Sequence, residues 1–62
     1  MLLSYEVSEI LAARIASLAL AEICKEQGID VSNREHGDAY HDARRYSDKI
    51  KTVVTEILFG NY

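Results

Sequence analysis

Proline is absent from this chain of 62 residues, and glycine occurs only at Gly28, Gly37 and Gly60. With so few backbone breakers, long helices can run uninterrupted. Cysteine is reduced to Cys24, which excludes an intrachain disulfide. No CxxC occurs, and neither histidine has a cysteine or a second histidine at a usual zinc spacing. Excess positive charge is also lacking: ten acids face seven bases, giving a net charge of −3 and no global field to attract nucleic acid. A basic segment ahead of the first apolar run is missing too, where Glu6 and Glu9 stand instead. A signal peptide is therefore not expected. The run is also shorter than the roughly 20 residues needed to span a bilayer. These absences point to a cytoplasmic protein that engages no membrane.

A chain this short buries only roughly 60% of the surface that its unfolded form exposes. Disulfides, a metal or oligomerisation normally make up the difference. Only oligomerisation is left open here.

The dominant feature is Ile10–Ala21, in which ten of twelve residues are apolar and only Arg14 and Ser17 are not. Ser4 is placed to cap a helix of about residues 5–27, and Glu6 suits its positive end. Leu3, Val7, Ile10, Leu11, Ile15 and Leu18 recur at three- and four-residue spacing and are expected to face a second helix. Leu11, Ala12, Ala16, Ala19, Leu20 and Ile23 supply further apolar surface, and the alanines allow close approach of another helix. Lys25 suits the negative end, and Gly28 followed by Ile29 is a stop signal.

A loop of about residues 28–32 follows. Ser32-Asn33-Arg34-Glu35 matches a capping box, with Ser32 as the cap and Glu35 reaching back. The second helix is expected over about 33–59, or from near Asp38 if Gly37 frays its start. His36, Ala39, Ala43, Tyr46, Ile50, Val53 and Ile57 form a heptad seam along it. Tyr40, Val54 and Leu58 widen its apolar face, Gly60 ends it, and Asn61-Tyr62 forms a tail. The fold class is therefore all-α: a single antiparallel helical-hairpin domain over residues 1–62. One partner helix cannot cover a first helix that is apolar on several sides. A homodimeric four-helix bundle, or a larger helical oligomer, is expected to cover the rest. Its interface is placed at Leu11, Ala12, Ala16, Ala19, Leu20 and Ile23.

Chemically versatile residues concentrate between Arg34 and Tyr46. Asp38 and His41 make an i, i+3 carboxylate–histidine pair, but on the side of the helix away from the seam, so no metal site is expected. His36 lies on the seam near the loop, either as a hydrogen-bonded partly buried group or as a pH-sensitive one. No serine or cysteine has a base partner at helical spacing, and Cys24 reads as a small packing residue. Neither a catalytic constellation nor a cofactor is expected.

Three binding functions fit. The first is a non-enzymatic regulator, inhibitor or adaptor that binds another macromolecule, most simply a protein, through a helical-bundle oligomer. The second is sequestration of a small anionic ligand such as a nucleotide at the loop end, by Arg34, His36, Tyr40 and Arg44. Some phage-encoded nucleotide sponges are similar in being small helical oligomers. The third is RNA binding by a hairpin dimer. The architecture resembles that of the Rop family of RNA-binding hairpin dimers, though no sequence motif accompanies the likeness. Against nucleic acid, Asp38, Asp42 and Asp48 interleave with Arg44, Arg45, Lys49 and Lys51, a pattern of ordinary surface pairing.

Overall fold

The computed structural model describes residues 3–60; the tail expected at Asn61-Tyr62 lies outside them. It holds two helices of equal length, α1 (Tyr5–Gln27) and α2 (Gly37–Phe59). They pack against each other as an antiparallel hairpin extending 43 × 16 × 14 Å.

Local chemistry sets the ends of α1. The Ser4 hydroxyl accepts from the Val7 N–H at 3.2 Å, satisfying one of the first free amides. At the other end Gly28 takes φ 66°, a left-handed conformation that costs glycine little. The Ile29 N–H then donates to the Cys24 carbonyl at 2.8 Å, closing a Schellman motif with Ile29 half-buried beneath it.

The start of the second helix differs from the expected capping box. Asp30 captures Ser32 instead: its Oδ1 accepts from the Ser32 N–H at 3.0 Å and from the Ser32 hydroxyl at 2.7 Å. Asn33 then caps a short 3-10 turn, Arg34–His36, by accepting from the Glu35 N–H at 3.0 Å. Regular α-helix begins only at Gly37. An aspartate two residues ahead of a serine offers a tighter local turn than the serine offers as a helix cap.

Side-chain size decides how the helices meet. On α1 the buried residues are Ser8, Ala12 and Ala16; on α2 they are Ala43, Ser47 and Thr55. The Ser47 hydroxyl donates to the Ala16 carbonyl of the opposite helix at 2.9 Å. A serine hydroxyl stands one carbon from its own backbone, so this bond requires the two helix backbones to lie close together. The other buried hydroxyls bond within their helices, Ser8 to the Ser4 carbonyl at 2.8 Å and Thr55 to the Lys51 carbonyl at 2.7 Å. No buried side-chain donor or acceptor among the described residues is left unsatisfied, so the polar seam avoids the penalty of an orphaned group. At the open end of the hairpin, Tyr5 meets Phe59 edge-to-face with ring centroids 5.4 Å apart.

This arrangement corrects two expectations. Ala12 and Ala16, placed in the oligomer interface on sequence grounds, are covered by α2 of their own chain. Ala19, Leu20 and Ile23 are half-buried, and of the six residues assigned to that interface only Leu11 is exposed. Conversely, Val7, Ile10, Leu11, Ile15 and Leu18, expected to face α2, are exposed. The α2 seam is displaced in the same sense, since Ala43 is buried while Tyr46, Val53 and Ile57 are exposed. Bulky side chains cannot occupy a seam whose backbones approach within reach of a serine hydroxyl.

Substitutions in the seam should show its tightness. Ala12→Leu is expected to lower stability by about 1–3 kcal/mol through overpacking. Ser47→Ala should cost about 0.5–1.5 kcal/mol, whereas Ala21→Leu on the exposed side should stay within about 0.5 kcal/mol. Urea unfolding at one fixed protein concentration measures all three. A neutral or stabilising Ala12→Leu would place that alanine outside the helix contact.

Candidate functional site

The hairpin has two unlike sides. Tyr5 and Glu9 of α1 line one shallow cleft together with Lys51, Thr55 and Phe59 of α2, which marks that side of both helices. At about 100° of rotation per residue, the opposite flank of α1 carries Val7, Leu11, Ile15 and Leu18. In an antiparallel pair, the flank of α2 on that same side carries Tyr46, Ile50, Val53 and Ile57. All of these are exposed except Ile50, which is half-buried. The result is an apolar face running along both helices, from the level of Val7 and Ile57 to that of Leu18 and Tyr46. Soluble chains seldom leave such a face in water.

The face is not uniformly exposed. Near the loop end it carries Leu18 and Tyr46, which are 69% and 62% exposed. Near the open end it carries Val7 and Ile57, at 44% and 46%. Lys49 lies over the Tyr46 ring, its ammonium 5.8 Å from the centroid. On the neighbouring outer surface of α2, Arg45 approaches Asp42 at 3.8 Å, an exposed i, i+3 pair of small energetic weight. Arg14 is exposed beside Ala13, Ser17 and Leu18 where the apolar flank of α1 meets its outer side, so its charge reaches solvent.

The four residues suggested for anion binding are only partly brought together. His36 and Tyr40 are half-buried one turn apart, and Arg44 follows one turn later, exposed on α2. Arg34 stands apart in the 3-10 turn. His36 is already engaged: its Nδ1 accepts from the Asp30 N–H at 2.9 Å, tying the connection to the start of α2. The adjacent acids, Asp30 and Glu35, oppose an incoming anion. The Ser32 hydroxyl bond, then the Ser32 amide bond and the nearby His36, hold the Asp30 carboxyl below its ordinary 3.8.

Asp38 and His41 are both exposed, and no group of three or more metal-ligating side chains occurs among the described residues. Cys24 is a free, half-buried thiol. No described helix is long and apolar enough to cross a membrane. Compared with known family models, curated proteins and solved structures, the chain matches none of them.

The position of the large apolar face was beyond the reach of residue spacing, because the burial of Ser47 and Thr55 turns the seam away from the bulky residues. The Asp30 turn titrates with a defined sign. A depressed carboxyl contributes stability above its unfolded value and loses it as pH falls through the folded value. Amide shifts of Ser32 should therefore move only as pH drops below about 4, and Asp30→Asn should abolish that transition. A Ser32 amide titrating near neutrality would show that Asp30 does not hold it.

Proposed function

We propose that this chain is a small non-enzymatic regulator, inhibitor or adaptor that works as a self-associated helical bundle and binds another macromolecule. The observation that carries the reading is the apolar face of Val7, Leu11, Ile15 and Leu18 with Tyr46, Val53 and Ile57. Among the described residues the hairpin buries only three apolar residues, all alanines. Such a core contributes little of the apolar burial that a chain of this size needs. A second copy laid on the apolar face supplies it. The association is therefore coupled to folding, and the homodimer is the functional unit.

Once that face is covered, the outer surface of α2 remains for a partner. It offers mixed charge from Asp42, Arg45, Asp48 and Lys49, all exposed. Interleaved signs favour a protein surface over a polyanion, whose phosphates Asp42 and Asp48 repel. Capture of an anion at the loop end has weaker support, because His36 spends its Nδ1 on the Asp30 amide.

Sedimentation should return a mass near twice the 7.0 kDa of one chain. Leu11→Glu should lower both the mass and the helical circular dichroism, while Ser17→Glu, on the outer side of α1, should alter neither. A wild-type chain that is a well-folded monomer at micromolar concentration would sink the self-association. A photocrosslinker replacing Arg45 in host cells should give adducts heavier than the dimer. Finding only dimer adducts there would remove the outer surface of α2 as the partner site.

A further inference from the structure

We infer that the connection between the helices carries a proton-operated clasp: neutral His36 holds the Asp30 N–H, and protonation of His36 at Nδ1 releases it. The joint lies within one chain, so it does not depend on how many copies associate.

The geometry fixes what protonation does. His36 Nδ1 accepts from the Asp30 N–H at 2.9 Å, across six residues of chain. A ring turned over would set its Cδ2–H against that N–H, so the facing atom is Nδ1. An imidazole nitrogen accepts only while it carries no proton, which makes neutral His36 the Nε2–H tautomer. The imidazolium donates from both nitrogens and leaves the Asp30 N–H without this partner.

No other hydrogen bond of the connection reaches as far. Ser32 and Asn33 donate to Asp30 across two and three residues, and the Glu35 and His36 amides donate to Asn33 across the same two spans. Those bonds shape short turns. The His36 bond instead joins the two ends of the connection. One end is Asp30, next to Ile29, whose N–H is bonded to the Cys24 carbonyl of α1. The other is His36 itself, the residue that caps α2.

Surrounding charge moves the point of titration without changing its result. Asp30 in the connection, Glu35 in the 3-10 turn, Asp38 on α2 and Glu26 at the end of α1 favour the imidazolium. Arg34 and Lys25 oppose it, as does the positive end of α2, where His36 sits. All of these side chains are exposed, so water weakens their fields. Tyr40, half-buried one turn along α2, is the other titratable neighbour. Among the described residues the only ion pair joins Arg45 and Asp42, so no carboxylate contact competes with the amide for the ring.

Nuclear magnetic resonance of the full chain tests the clasp. At about pH 8, above the range in which histidines titrate, ring correlations of His36 should show Nδ1 as the nitrogen without a proton. A protonated Nδ1 there would overturn the clasp. As pH falls, the Asp30 amide proton should move upfield with the same midpoint as the His36 ring, roughly between pH 5 and 8. Its exchange protection should drop roughly two- to tenfold, the ratio that one hydrogen bond supplies. The Ser32 amide, held by the Asp30 carboxylate, should stay in place through this step. His36→Asn sets a carbonyl oxygen where Nδ1 stands and cannot titrate, so its Asp30 amide should remain bonded throughout. His36→Ala should leave that amide at the released position at every pH, and His41→Gln, at the exposed second histidine, should leave the step unchanged. An Asp30 amide that ignores the titration of His36, or that moves equally in His36→Asn, would overturn the clasp. So would a His36 ring that stays neutral until the chain unfolds.

Discussion

The close approach of α1 and α2, marked by the 2.9 Å bond from the Ser47 hydroxyl to the Ala16 carbonyl, governs the rest of the molecule. Helices this near each other accept only Ser8, Ala12 and Ala16 from one side and Ala43, Ser47 and Thr55 from the other. Larger apolar side chains are at most half-buried beside the seam, and Val7, Leu11, Ile15, Leu18, Tyr46, Val53 and Ile57 are exposed. Those of α1 and α2 that turn to the same side become one face, which a second copy covers in the proposed dimer. Small residues within and large residues without are thus two results of one distance.

The polar groups of the seam add definition more than stability. Three buried hydroxyls each have a carbonyl partner, and only the one from Ser47 crosses between helices. A purely alanine seam could slide by a turn with little change in packing. The Ser47 bond, the Tyr5–Phe59 contact and the Asp30–His36 tie resist such a slip at the middle, the open end and the loop end. Register in turn fixes which residues of the two helices stand side by side on the outer face.

Much of the fold can be read from residue spacing. Ser4 caps α1 and Gly28 ends it, and no residue between them interrupts a helix. Gly37 marks the true start of α2. The choice of face cannot be read this way, because α1 is apolar on several sides and periodicity then gives no preference between alanines and leucines. Hydrophobicity favours burying Ile15 and Leu18, whereas the distance between backbones favours burying Ala12 and Ala16. The decisive signal is small side-chain volume at four-residue steps, at Ser8, Ala12 and Ala16 on α1 and at Ala43, Ser47 and, beyond Lys51, Thr55 on α2. A polar–apolar count assigns the hydroxyl residues among them to the surface. The loop shows the same competition locally: Ser32 and Asn33 are both plausible caps, and the capture of Ser32 by Asp30 leaves the role to Asn33.

Isotope-filtered nuclear Overhauser spectroscopy on a mixture of labelled and unlabelled chains tests this division most directly. Contacts from the Ala12 and Ala16 methyls to Ala43 and Ser47 should arise within one chain. Methyls of Leu11 and Ile15 should show their strongest contacts between chains. The reverse pattern, with Ile15 and Leu18 packed on α2 of their own chain and the alanine methyls contacting a second copy, would contradict the account.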